Sequence, residues 1–204
     1  MRTQTLSCCK YLAGATALAA LVACGGGGGD GGDGSGTGTL KLALTDAPSC
    51  GYDAVNVAVQ KIRVHQSATA ADDASGWHEL TLNPARRVDL LSLTNGVLEE
   101  LGELPLPTGK YTQMRLVLAG NGGAAPFANS VVPTGSGEVA LTTPSGQQSG
   151  VKMNVNIDIA ANQMADFVLD FDACKSVVTA GASGRYLLKP VVAVIPRLVS
   201  GVQG

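Results

Sequence analysis

Val151-Lys152-Met153-Asn154-Val155-Asn156-Ile157-Asp158-Ile159 alternates apolar and polar residues without a break. Period two is the pattern of a strand with one face on a core and the other in water. A helix cannot use it, because at 3.6 residues per turn the apolar side chains would scatter around the axis. The stretch therefore predicts a half-buried strand.

The same pattern recurs on either side. In residues 111–118, Thr112, Met114, Leu116 and Leu118 share one face, and Tyr111, Gln113, Arg115 and Val117 the other. In residues 167–172, Phe167, Leu169 and Phe171 oppose Val168, Asp170 and Asp172. Residues 40–45, 54–64, 77–82, 88–93, 138–141 and 186–195 also read as strands, separated by signals such as Asp46-Ala47-Pro48, Asn95-Gly96 and Thr143-Pro144-Ser145-Gly146. The phase of residues 54–64 changes near Lys61, which predicts a bulge there. Only residues 97–101 suggest a helical turn. Many short strands and almost no helix predict an all-β fold, an antiparallel β-sandwich, with a closed barrel as runner-up.

The N-terminus carries different information. Arg2 and Lys10 precede an apolar run that ends in Leu21-Val22-Ala23-Cys24. That is a secretory signal too short to span a membrane, closed by a lipobox. Residues 1–23 are expected to be a lipoprotein signal peptide. Cys24 would then be the lipidated first residue, carrying palmitate-type chains, each contributing about 0.8 kcal/mol per buried methylene. Residues 24–39 combine this cysteine with a Gly-rich stretch that lacks apolar side chains and reads as a tether. The β-sandwich domain is expected over residues 40–200. Gly25 rather than Asp after the cysteine favours the outer membrane of a Gram-negative cell.

A net charge of −2 and no cluster of Lys and Arg argue against nucleic acid as a partner. Of the five cysteines, Cys8, Cys9 and Cys24 belong to the export segment. Cys50 and Cys174 remain, and two cysteines in an oxidising compartment are expected to form a disulfide.

Asp170 and Asp172, two apart on a strand, should share a face. Arg115, Lys152 and Lys189 lie on polar faces of their own strands, so a cross-strand charge network is the first expectation. No cofactor is expected. The alternative is a calcium ion on Asp170 or Asp172 with Asp46 or Asp53 and backbone oxygens, although the chain has no EF-hand loop. A hydrolase pair would need carboxylates farther apart and more aromatic residues than 4% of the chain. His65 and His78 have no zinc spacing. Gly135-Ser136-Gly137 is not a nucleophile elbow. Trp77 reads as a core plug.

Several pieces together resemble a known family. They are Leu44-Thr45-Asp46-Ala47-Pro48, Leu106-Pro107-Thr108-Gly109-Lys110-Tyr111 with Arg115, and Pro144-Ser145-Gly146 before Lys152. Leu169-Asp170-Phe171-Asp172-Ala173 with Lys175-Ser176, and Leu188-Lys189-Pro190, complete the set. In this order they are similar to the bacterial lipoprotein domain of unknown function 4382. The resemblance implies export, a lipid anchor and an immunoglobulin- or transthyretin-like sandwich, and it implies no activity. The Pro107-x-Gly109-x-Tyr111 step also resembles prealbumin-like surface modules.

The function expected from these features is a non-enzymatic, lipid-anchored binding or structural module of the cell envelope. It meets the membrane through the lipid on Cys24 and a protein or glycan partner through loops at one end, residues 68–76 and 120–129. A calcium-stabilised adhesin-like or glycan-binding domain is the alternative, and an envelope hydrolase a more distant one.

Overall fold

The computed structural model describes residues 36–46, 51–143, 149–181 and 184–197. The signal segment, Cys24, most of the Gly-rich stretch, Cys50 and the Pro144-Ser145-Gly146 turn lie outside the described residues.

The domain is an all-β sandwich. Its strands are β1 (Thr37–Asp46), β2 (Tyr52–His65), β3 (His78–Asp89), β4 (Glu99–Pro107), β5 (Gly109–Leu118) and β6 (Ser130–Pro133). They continue as β7 (Val139–Thr142), β8 (Val151–Ile159), β9 (Met164–Phe171), β10 (Val177–Thr179), β11 (Tyr186–Leu188) and β12 (Val192–Pro196). A 3₁₀ turn (Leu90–Leu93) and a one-turn helix, α1 (Ala173–Ser176), interrupt them. One sheet has the order β12-β9-β1-β4. The other is eight-stranded and runs β10-β11-β7-β6-β2-β5-β8, with β3 on the free side of β2. Most pairs are antiparallel, but β1 runs parallel to β9 and β11 parallel to β7.

The alternating stretch that opened the sequence reading is β8, bounded as expected, with Met153, Ile157 and Ile159 buried and the polar residues exposed. The bulge expected near Lys61 is present. Register shifts between Val59 and Lys61 against both neighbouring strands. The shift lets Val55, Val57, Val59, Ile62 and Val64 all reach the core, which a regular strand would not allow. A second register shift, where Thr112 of β5 stands against both Val155 and Asn156 of β8, brings Tyr111 to the side of Met114, Leu116 and Leu118. Its hydroxyl donates to the Pro107 carbonyl at 3.1 Å, tying the strand back across the β4–β5 turn.

Four local expectations change. First, β1 opens at Thr37, inside the stretch read as tether. Gly38 is glycine for close approach, since a Cβ there would strike the Ala160 carbonyl and the Ile159 side chain. Second, residues 97–101 lead into β4 and are not helical. The short helical piece lies one step earlier, where the Asp89 carboxylate accepts from Leu91 N–H and caps it. Third, residues 77–82 and 88–93 are not separate strands; β3 runs through the intervening residues, and the 3₁₀ turn takes the rest. Fourth, residues 186–195 form two strands in different sheets. The chain crosses between them at Lys189-Pro190, where proline has no N–H to extend a ladder.

Candidate binding surfaces

The eight-stranded sheet has an unusual outer face. Its polar face at β5 is buried, because residues 66–77 fold back over it as a strap. Arg63 and Arg115 stand opposite each other on β2 and β5, with Lys152 opposite Arg115 on β8. Three cations in a row repel, so something must compensate. Trp77 does part of this: the guanidinium carbons of Arg63 and Arg115 lie 4.5 and 4.9 Å from its ring centre. Glu79 pairs with Arg63 at 2.6 Å and with Lys61 at 3.0 Å, and Asp72 pairs with Arg115. Burial, and then the nearby Arg63, hold the Arg115 pKa below its ordinary value.

Three consecutive strap carbonyls each accept from a different side chain. Ala70 takes Arg115 Nη2 at 3.0 Å, Ala71 takes Trp77 Nε1 at 2.9 Å, and Asp72 takes Arg63 Nη2 at 3.1 Å. The His65 ring closes the strap: Nδ1 accepts from Ser67 N–H at 2.8 Å, which leaves Nε2–H to donate to Ser75 at 2.9 Å. Trp77 is therefore not a core plug. It is half-buried on the outer face, where its ring meets the arginines and its N–H finds a carbonyl.

The second long loop, residues 119–129, behaves differently. β5 and β6 lie along the same edge of β2, and this loop leaves the sheet between them. At the gap, Asn129 substitutes for main chain. Its Oδ1 accepts from Ala58 N–H at 3.1 Å, and its Nδ2 donates to Ala119 O at 2.7 Å. Asn121 ties the same place, donating to the Asn129 and Leu141 carbonyls and accepting from Asn129 N–H. Asn129 is fully buried, while Gly122 to Pro126 are exposed. The strap lies against the start of β5 and this loop leaves its end, so the two loops do not share one end of the sandwich.

The expected network of Arg115, Lys152, Asp170, Asp172 and Lys189 is not assembled. Arg115 and Lys152 lie in the eight-stranded sheet, and Asp170 in the other, opposite Thr45 and Ala193. Asp172 is past the end of β9 and caps α1, accepting from Lys175 N–H at 2.9 Å and pairing with Lys175 Nζ at 2.7 Å. The hydrogen bond from Lys175 holds its carboxyl below the usual range. Lys189 and Lys152 instead line one open cavity of about 600 Å³ with Val151, Leu188 and Pro190.

The carboxylates considered for calcium have protein partners as well. Asp46 Oδ1 accepts from Ala173 N–H at 2.8 Å, and Asp53 Oδ1 accepts from the Thr134 hydroxyl at 2.8 Å. Among the described residues no three His, Cys, Asp or Glu gather to hold a metal. His78 packs edge-on to Tyr111, with ring centres 6.0 Å apart.

The model of the domain of unknown function DUF4382 matches residues 37–190, about three quarters of the chain. The chain belongs to the DUF4382 family. No curated protein and no solved structure matches it. The matched DUF4382 region starts where β1 starts, so the three residues ahead of the expected boundary are part of the domain.

The sequence missed two features: the strap and the Asn121–Asn129 base. A loop carrying a lone Trp just before a strand with charged residues was the available signal for the first. Asparagines at both ends of a Gly-Ala-Pro loop were the signal for the second.

Proposed function

We propose that this DUF4382 protein is an exported, lipid-anchored, non-enzymatic binding module of the cell envelope, held at the outer membrane by acyl chains on Cys24. One observation supports export from within the fold. β1 and β9 run in parallel with Asp46 opposite Phe171, and Asp46 accepts from Ala173 N–H. Cys50 follows Asp46 by four residues, a reach of up to about 14 Å, and Cys174 follows Ala173 directly. The pairing of Cys50 with Cys174 that we propose is therefore within reach, and such bonds persist outside the cytoplasm. In this reading the exposed tip of the loop at residues 119–129, on its fixed base, is the contact surface for a protein or glycan.

Mass measurement on membranes of the native host tests the proposal. The chain should begin at an acylated Cys24, and both remaining cysteines should resist alkylation until reduced. Cys24→Ala should release the protein from the membrane. An unprocessed chain in the cytosol with two alkylatable thiols would overturn the reading.

A further inference from the structure

β8 is one end of its sheet; among the described residues it has β5 on one side and no strand on the other. It is long and contains no proline, and its one irregularity, an extra residue between Asn154 and Ile157 against Thr112, is a feature of its pairing with β5 on the side away from the free edge. Such an edge presents unpaired N–H and C=O groups and is a template for another strand. A cavity of about 350 Å³ opens on the same side, lined by Val155, Ile157, Phe167 and Val194 with Asn154 and Asn156. Of these, Val155, Phe167 and Val194 remain only half-buried.

The order of residues along β8 indicates what that strand would be. We propose that a second copy of this chain pairs with β8, antiparallel, with Val155 opposite Val155 on a two-fold axis. In that register Lys152 faces Asp158, Asn154 faces Asn156, Met153 faces Ile157 and Val151 faces Ile159, and the symmetry makes each pair twice. All four polar residues are exposed on the same face. Among the described residues Lys152 and Asp158 have no ion-pair partner within the chain. On its inner side Lys152 faces only another cation, Arg115, whereas Asp158 faces Lys110. The dimer inserts the partner's anion next to the cation row and brings the two apolar cavities to the seam. Shifting the register by two residues would lose the opposition of Lys152 to Asp158. A strand of another protein would need to reproduce a pattern that β8 itself already carries.

Charge exchange tests this on the full chain in detergent, by sedimentation equilibrium, with circular dichroism to verify folding. The native chain should sediment at twice its protein mass. Lys152→Glu sets glutamate against Asp158, and Asp158→Lys sets two lysines together. Each should weaken the dimer about tenfold, since the repulsion occurs twice. The double variant K152E/D158K should restore the native affinity. A native chain that remains monomeric, single variants that dimerise as well as the native chain, or a double variant as weak as the singles would each overturn the proposal.

Discussion

The two long loops of this sandwich have similar compositions and opposite fates. Residues 66–77 lie flat on the outer face of the sheet, held by Arg63, Trp77 and Arg115. Residues 119–129 leave the sheet and are tied near their base, by Asn121 and Asn129 and by Arg87, which donates to the Phe127 carbonyl, while Gly122 to Pro126 stay exposed. Both are rich in small and polar residues and neither carries strand pattern. The difference comes from what lies beneath. A row of cations on β2 and β5 needs acceptors and an aromatic face, and the strap supplies both. The other loop crosses a break between two strands, where Asn129 completes the ladder, Asn121 and Arg87 hold its ends, and the tip from Gly122 to Pro126 stays exposed. Loop composition thus says little about which loop is open to a partner; the charges on the neighbouring strands say more.

Removing the cation beneath the strap should have the largest effect. Arg115 is buried and donates to the Ala70 and Ser149 carbonyls at 3.0 and 3.1 Å. Arg115→Met keeps much of the volume but leaves both acceptors without this donor. The expected loss is about 3 kcal/mol in urea unfolding. Trp77 is the chain's single tryptophan, so its fluorescence reports the strap directly. Its emission should shift to the red in native buffer, as a strap that has lifted exposes the ring. An unshifted spectrum with unchanged stability would mean that the strap holds without Arg115.

Breaking the other loop at its base should cost less. Asn129→Ala leaves Ala58 N–H and Ala119 O without their side-chain partner, and about 2 kcal/mol should be lost. Shortening the exposed tip between Gly122 and Pro126 by two residues should change stability by less than about 0.5 kcal/mol, because loop-closure entropy varies slowly with length. If the tip were as costly as Asn129, the loop would be packed like the strap, and the contrast between the two would fail.

These contrasts also mark where the sequence was legible. β8 was readable to the residue because it sits at a sheet end with one face wet, so alternation survives intact. The Lys61 bulge was readable because the valines before it and Ile62 and Val64 after it have opposite phase. The wet face of β5 was not. Gln113 and Arg115 look solvent-facing, yet a segment some forty residues earlier in the chain covers them. The aspartates misled for a related reason. Asp46 and Asp172 resemble ligands in a list of carboxylates, but each accepts from a backbone N–H at a chain turn, a use that depends on where the strand stops. Pattern reports the local period; it does not report which distant backbone donors lie in reach.

Among the substitutions, the smallest effect belongs to the anion at the strap's margin. Burial pushes the Glu79 carboxyl up, but Lys61 and Arg63 more than offset this and hold it below the usual carboxylate range. A depressed native pKa means that the unfolded chain binds the proton more readily. The stabilisation is therefore complete above the unfolded carboxylate value of about 4.3 and is lost as pH falls through the native value. Glu79→Gln should cost less than about 1 kcal/mol at neutral pH, since the pair is partly exposed and screened. The gap between the two urea curves should close in strong acid, where the native glutamate is itself protonated. The variant should leave Trp77 emission nearly unchanged, unlike Arg115→Met. A gap that persists in strong acid would mean that Glu79 acts through packing and not through its charge, and the strap would then be held by its carbonyls and the two arginines alone.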